Sequence, residues 1–205
     1  MVKKNMRLSY IIPTIGRPGL LPVISWLRSN IASEDEVIVI GDGIQFRARG
    51  VLSLPDWRFK YYEFGPTNLV GNAQRDFGIE RASGDFLAFV DDDDIPADGS
   101  NEVIHAAIDA HPTYRVPHIF GMKNPGGHIL SCGHREEVGC GRVGGPMFVP
   151  PRNLSMLGKW SEPSEYTSDW NFVAITMQKY WDKGEDAFYH SEVIYNVLQK
   201  GDGKA

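Results

Sequence analysis

Apolar positions in the first hundred residues fall into two rhythms. Short continuous runs at 8–12, 37–40 and 86–90 are rich in β-branched or aromatic residues, and each is closed by a turn-forming or acidic stretch. That is the pattern of strands buried on both faces. A weaker aromatic run at 59–64 predicts one more strand between them. Separating them are stretches with helical spacing. Residues 19–30 carry Leu20, Leu21, Ile24 and Leu27 on one face, and 70–82 reads as a helix followed by Gly84. Alternating strand and helix with apolar strands predicts an α/β fold: a mostly parallel, Rossmann-like sheet flanked by helices. In such sheets ligands sit beyond the carboxyl ends of the strands. Attention therefore falls on 13–17, 41–43 and 91–94, each of which follows a strand.

The second half is less regular. Residues 101–111 predict a helix, 116–122 a strand, and the Gly- and Pro-rich stretch 125–151 hairpins and loops. Trp170, Val173, Ala174, Met177 and Trp181 recur at helical spacing within 168–181, and 187–198 reads as a closing strand. The 205 residues suit one domain. The change near residue 115 is one of role, not of domain.

Composition narrows the function classes. The chain is 42% hydrophobic and carries a formal net charge of -5, which argues against general nucleic-acid or anionic-membrane binding. A polyanionic ligand would need a cation or focused positive groups. Two cysteines, Cys132 and Cys140, make no disulfide framework and favour a cytoplasmic setting. The first apolar segment is too short for a signal-peptide core or a transmembrane span.

Four consecutive aspartates, Asp91 to Asp94, directly follow the apolar run at 86–90. Like charges this close repel and raise one another's pKa unless a cation intervenes. A hard divalent ion, Mn²⁺ or Mg²⁺, would resolve this by taking one or two carboxylates with phosphate oxygens completing its shell. If the segment stays extended, Asp91 and Asp93 share a side. The alternative is a solvated acidic turn capping the next helix. An EF-hand does not fit, because Ile95 and Pro96 stand where its loop needs an oxygen ligand and glycine. No Walker A sequence is present.

Three segments together resemble the family 2 glycosyltransferases, which have the GT-A (nucleotide-diphospho-sugar transferase) fold. Tyr10-Ile-Ile-Pro-Thr-Ile-Gly-Arg-Pro18 is similar to the family's opening strand and Pro-Thr-x-x-Arg-Pro loop. Glu36-Val-Ile-Val-Ile-Gly-Asp-Gly43 is like its second strand and Asp-Gly turn. Gly71-Asn-Ala-Gln-Arg-Asp-Phe-Gly-Ile79, leading to Ala82-Ser-Gly-Asp-Phe-Leu-Ala-Phe-Val-Asp-Asp-Asp-Asp94, is similar to its Ala-Arg-Asn-x-Gly helix and Asp-x-Asp motif. The likeness is close over about 7–98 and loose over 144–198. It implies one GT-A domain spanning 1–205, with a nucleotide-sugar-binding half at about 1–98 and an acceptor-binding half at about 115–198.

The resemblance also implies roles. Pro13, Thr14 and Arg17 would line the nucleotide pocket, with Asp42 near the base. Arg75 would reach toward the donor. Asp91 would face the ribose with Asp92 beside it in the donor site, and Asp93 would hold the metal. Gly41 replaces an acidic residue that the family often has, which leaves the base preference open, with a UDP-sugar favoured. His190 lies where some GT-A enzymes place a further metal ligand. Thr167-Ser-Asp-Trp-Asn-Phe172 matches the start of the family's base-bearing helix, which makes Asp169 the candidate general base of an inverting transfer to an acceptor hydroxyl, with Glu165 second. Gly144-Gly-Pro-Met-Phe-Val149 resembles the acceptor-side strand, and Trp160 and Trp170 are candidate sugar-stacking rings or core aromatics. The residues allow plainer readings: Arg17 on the surface, Thr14 as a helix cap, Asp42 as a turn residue, Asp169 as a helix-start residue, and Arg75 exposed and paired with Asp76 or Glu80. His128, Cys132, His134 and Cys140 are close in sequence but match no zinc spacing. Rival functions are a haloacid-dehalogenase-like phosphohydrolase, a nucleotidyltransferase, and a GT-A nucleotide-binding module without catalysis.

Overall fold

The structure, a computed structural model, describes residues 6–43, 56–67, 71–162 and 168–198. Strands β1 (Leu8–Thr14), β2 (Glu36–Gly41), β3 (Phe59–Glu63) and β4 (Phe86–Phe89) form an all-parallel sheet in the order β3-β2-β1-β4. Helix α1 (Leu20–Asn30) follows β1, and α2 (Asn72–Arg81) precedes β4.

Alternation along each strand sorts its side chains onto two cores. Leu8, Tyr10 and Ile12 of β1, Val37 and Val39 of β2, and Phe86 and Ala88 of β4 join Leu20, Val23, Ile24 and Leu27 of α1. The intervening Ile11, Ile38, Ile40, Leu87 and Phe89 join Ile79 of α2 on the opposite face. Helix α2 lies close against the sheet because Gly78 has no side chain: a Cβ there would come within 2.7 Å of Ile11 and 2.9 Å of Ile40.

Beyond β4 the chain builds a second sheet. It comprises β5 (Ile95–Pro96), β9 (Phe188–Asn196), β6 (His118–Lys123) and β7 (Ile129–Leu130) in the order β5-β9-β6-β7, with β8 (Phe148–Val149) also on β6. This sheet is mixed: β6 and β9 run parallel and the other pairings are antiparallel. The Phe86↔Pro151 bridge and the Leu87 N–H to the Pro150 carbonyl join it to β4. Helix α3 (Ser100–Ala110) adds Ile104 and Ile108 to the first core, and α4 (Ser168–Trp181) adds Phe172, Val173 and Met177 to the second. Both cores also take residues from the second sheet. The predicted elements agree with these within a residue or two. The exceptions are β7 and β8, which fall inside the stretch read only as hairpins and loops, and β5, too short to carry a period, which exists only because β9 returns to pair with it. Among the described residues no helix is long and apolar enough to cross a membrane.

Two acids staple the amino-terminal edge of the first sheet. The Asp35 carboxylate accepts from the Leu8 N–H at 2.8 Å and the Asn101 amide at 2.7 Å, and meets His105 at 2.9 Å. Glu36 accepts from the Ser9 hydroxyl at 2.6 Å, the Ser83 hydroxyl at 2.9 Å and the Gly84 N–H at 3.2 Å, and pairs with Lys60. Burial pushes the Glu36 carboxyl up, but the Lys60, Ser9 and Ser83 hydrogen bonds outweigh it and hold the group down at about 2. Its stabilisation is thus fully present above the unfolded value of 4.5 and is lost as pH falls toward about 2. Glu36→Ala should lose roughly 3 kcal/mol at pH 7. In urea denaturation the gap to the wild type should narrow steadily between pH 5 and pH 3; a gap constant with pH would refute the ionic account.

Candidate active site

The strand order reverses direction at β1, and the crevice between the carboxyl ends of β1 and β4 is the topological switch point of the sheet. Thr14 ends β1 and the four aspartates follow β4, so the pattern that predicts a ligand site brings them to one place.

The aspartates do not continue the strand. The chain turns at Asp92 and Asp93, so the side-sharing of Asp91 and Asp93 expected of an extended segment does not hold; each carboxylate meets different partners. Asp91 forms an ion pair with Arg75, and its backbone N–H donates to the Tyr195 hydroxyl at 2.8 Å. Asp92 accepts from the Thr14 hydroxyl at 2.6 Å and from the Ile15 N–H at 3.3 Å, and lies 3.4 Å from Arg17. Asp93 pairs with Arg17 at 2.6 Å. Asp94 accepts from the Leu198 N–H at 2.8 Å. Two arginines and backbone donors therefore relieve the repulsion within the run, so the repulsion does not by itself require a metal ion. Burial raises the Asp92 pKa against the opposing effects of Thr14 and Arg17.

The loop after β1 wraps this turn. Thr14 does not cap α1; its oxygen accepts from the Gly16 N–H at 2.9 Å while its hydroxyl serves Asp92. Arg17 faces the aspartates with its side chain 30% exposed. Pro13 is buried in the space Gly71 leaves, where a Cβ would come within 2.8 Å of its ring. Asp42 follows β2, and its Oδ1 accepts from the Thr67 N–H at 2.9 Å, tying the end of β2 to the segment after β3.

Arg75 is buried, not paired on the surface with Asp76 or Glu80. Its guanidinium stands 4.7 Å above the Trp160 ring and 3.4 Å from the Asn72 oxygen, and pairs with Asp91. Its charge also acts on Asp169. Asp169 opens α4, where it accepts from the Gly145 N–H at 3.3 Å. Burial raises its pKa, and Asp91 adds to the rise; Arg75 and the Gly145 N–H only partly offset it. Neighbouring Ser168 donates to Asn72 at 3.1 Å, so one amide oxygen ties α4 to Arg75. Glu165 lies outside the described residues.

Trp160 is buried against Phe89 and Phe172, with ring centroids at 4.9 and 4.7 Å. That makes it a core ring and not a sugar platform; Trp170 is half-buried. A Cβ on Gly145 would overlap the Trp160 ring, so only glycine brings this N–H to Asp169. Sequence reasoning missed the parts played by Asn72, Asp76 and Tyr195. Asn72 and Asp76 lie inside the quoted motif but carry no chemistry of their own, and Tyr195 sits in a strand with no signal at all.

His190 does not join the site. It stacks on Phe120 at 4.4 Å in an irregular stretch of β9 and lies 2.9 Å from His118. His118 packs on Phe86, the first residue of β4, whereas Asp91 lies beyond the other end of that strand, ~16 Å along an extended chain. Burial lowers the pKa of both histidines, that of His118 to about 3. In the 128–140 loop, buried Cys132 donates to the Glu137 and Arg142 carbonyls, Cys140 is exposed, and His134 pairs with Glu136. Among the described residues no group of three or more His, Cys, Asp or Glu is placed to hold a metal ion.

Residues 9–142 match the family described as Glycosyl transferase family 2. The chain belongs to that family. It is 34% identical over 97 residues to the GalNAc(5)-diNAcBac-PP-undecaprenol beta-1,3-glucosyltransferase of Campylobacter jejuni, a match covering 43% of this chain and 30% of that protein. Among solved structures it is similar to S. aureus TarS 1-349, with a TM-score of 0.71, 19% identity, and 94% of this chain and 60% of that one covered. It is also similar to the Pyrobaculum calidifontis mannosyltransferase PcManGT, with a TM-score of 0.65, 16% identity, and 97% and 59% covered. The fold is GT-A, and this chain spans less than two thirds of the length of each of these proteins. Family and fold leave the phosphohydrolase and nucleotidyltransferase readings without support.

Removing the buried cation tests the electrostatics of the site. Arg75→Met leaves Asp91 and Asp169 without it; Asp91 is 37% exposed, so water takes over part of its solvation and the loss is about 1–3 kcal/mol. Urea denaturation at pH 7 should show a loss of that order. Lowering the pH should shrink it, because Asp169, whose pKa burial already raises, no longer needs the guanidinium once protonated.

Proposed function

We propose that this chain is the donor-binding and catalytic core of a glycosyltransferase that moves a sugar from a nucleoside-diphosphate sugar, a UDP-sugar favoured, to an acceptor hydroxyl on a saccharide or similar molecule. The observation that carries the reading is one buried guanidinium, Arg75, coupled to a carboxylate at the switch point, Asp91, and to one at a helix start, Asp169. The reported ligands of solved relatives support the donor class: TarS complexes hold UDP and UDP-GlcNAc, and the PcManGT complex holds GDP-Man and Mn²⁺. The domain division expected from the sequence forms part of the reading, with 1–98 meeting the donor and 115–198 the acceptor. So does a cytoplasmic setting.

Asp169 is the general base. An acceptor hydroxyl must lose its proton as its oxygen attacks the anomeric carbon, and inversion follows if attack comes opposite the departing diphosphate. Desolvation keeps Asp169 more basic than an ordinary carboxylate, while Arg75 keeps enough of it ionised to accept that proton. Arg17 lies at the mouth of the donor crevice, where a guanidinium suits phosphate oxygens.

A divalent ion fits the residues present. Asp91 and Asp93 each commit one oxygen to an arginine and have no hydrogen bond at the other among the described residues. Their side chains are 37% and 21% exposed. Mn²⁺ and Mg²⁺ commonly bind through one or two carboxylates plus phosphate oxygens. Asp93 would hold the ion, which when bound would neutralise charge on the departing diphosphate.

Thermal shift with UDP, UDP-glucose, UDP-GlcNAc and GDP-mannose, each with and without Mn²⁺, tests the donor site. One nucleotide should stabilise the wild type in a metal-dependent way, and Asp93→Ala should lose that shift. No shift with any of them would overturn the donor assignment. Asp169→Asn should keep nucleotide binding and lower turnover by about 10²–10⁴; binding without turnover in the wild type as well would favour a module without catalysis. Wild-type activity should fall with decreasing pH through a limb lying above the usual carboxylate range, because the base must be ionised and its pKa is raised.

A further inference from the structure

We propose that Asp76 is a positioning residue for the general base, acting through Trp160; the inference rests on the assignment of Asp169 above. Asp76 lies on α2 next to Arg75 but points to the opposite partner, the loop before α4. Its Oδ1 accepts from the Trp160 N–H at 2.9 Å. Its Oδ2 accepts from the Ser161 N–H at 3.0 Å and the Ser161 hydroxyl at 2.6 Å. Both oxygens are used as acceptors, and the donors are two successive backbone amides and a hydroxyl.

This clamp fixes the backbone of a residue that touches both halves of the site. The Trp160 ring lies 4.7 Å beneath the Arg75 guanidinium and packs directly on Gly145, leaving no room for a Cβ. Gly145 in turn donates its N–H to Asp169 at 3.3 Å. A shift of Trp160 therefore displaces two groups that favour the ionised form of Asp169, the Arg75 charge and the Gly145 donor. No hydrogen bond from the ring holds it among the described residues: its indole nitrogen is buried without a partner there. Stacking on Phe89 and Phe172 sets the ring plane, and Asp76 sets where its backbone stands.

The chemistry requires a carboxylate. An asparagine of the same shape offers one acceptor oxygen and one donor NH₂. Whichever way the amide lies, its NH₂ group faces a backbone N–H, and one of the two loses its partner. Asp76→Asn therefore loosens the clamp without changing side-chain volume.

The experiment compares wild type, Asp76→Asn and Asp76→Glu on the whole chain by two readouts. The first is amide hydrogen exchange by NMR at Gly145, Trp160 and Ser161. The second is kcat and KM for nucleoside diphosphate release from whichever sugar nucleotide the thermal-shift panel selects. In Asp76→Asn, exchange at Gly145 should rise at least tenfold along with that at Trp160 and Ser161, although Gly145 makes no bond to Asp76. There kcat should fall at least tenfold, KM for the donor should stay within threefold, and the acid limb of the pH profile should move. Asp76→Glu, which keeps two acceptor oxygens, should recover part of each effect. Faster exchange confined to 160–161 with kcat unchanged would reduce Asp76 to a local loop anchor and overturn the proposal, as would a loss residing in KM alone. If the wild type turns over no sugar nucleotide, the glycosyl-transfer reading fails by itself, and exchange at Gly145 still decides whether the clamp reaches the Asp169 donor.

Discussion

The burial of one arginine governs the design of this site. A guanidinium removed from water is tolerated only where anions and polarisable surfaces replace the hydration it gives up. Arg75 finds these in Asp91, in the face of Trp160 and in the Asn72 oxygen, with Asp169 close enough to feel its charge. Each partner comes from a different element: the end of β4, the loop before α4, the start of α2, and the start of α4. Placing the cation thus fixes those four against one another, and that mutual fixing is the geometry of the site.

The acidic run gains its meaning from the same constraint. Four adjacent carboxylates are a liability unless they are divided among partners, and the turn at Asp92 and Asp93 divides them. Asp91 goes inward to Arg75, Asp92 back to Thr14, Asp93 outward to Arg17, and Asp94 across to the backbone at Leu198. The division is an unequal one. Asp92 and Asp94 are buried and serve structure, while Asp91 and Asp93 are partly exposed and keep an oxygen free of hydrogen bonds among the described residues. The proposed cation and diphosphate would meet those oxygens without dismantling what holds the turn.

Much of this was legible in the chain. Strands buried on both faces, such as 37–40, announce themselves because every position is apolar, and α4 because its apolar residues recur at helical spacing over fourteen positions. Those signals are local, as is the adjacency of Pro13–Thr14–Arg17 to a strand end. Two expectations went astray for the same reason. His190 follows the family's late strand in sequence, but the register of β9 sets it beside His118, at the far end of β4. The extended acidic segment followed from strand alternation, yet the donors that bend it, Thr14 and Arg17, come from about eighty residues away.

By itself, then, the sequence determined the α/β class, the bounds of the longer elements, the family and the cluster of aspartates at a strand end, because each depends on periodicity or on residues close in the chain. Only the tertiary structure decided which aspartate meets which arginine, that Trp160 is a core ring and not a platform, and that Asp76 and Tyr195 belong to the site's support. Those facts depend on distances between residues separated by roughly 16 to 104 positions. Hydrogen bonds and ion pairs are short-ranged and directional, so which groups they join is settled only when the cores on both faces of the sheet have closed.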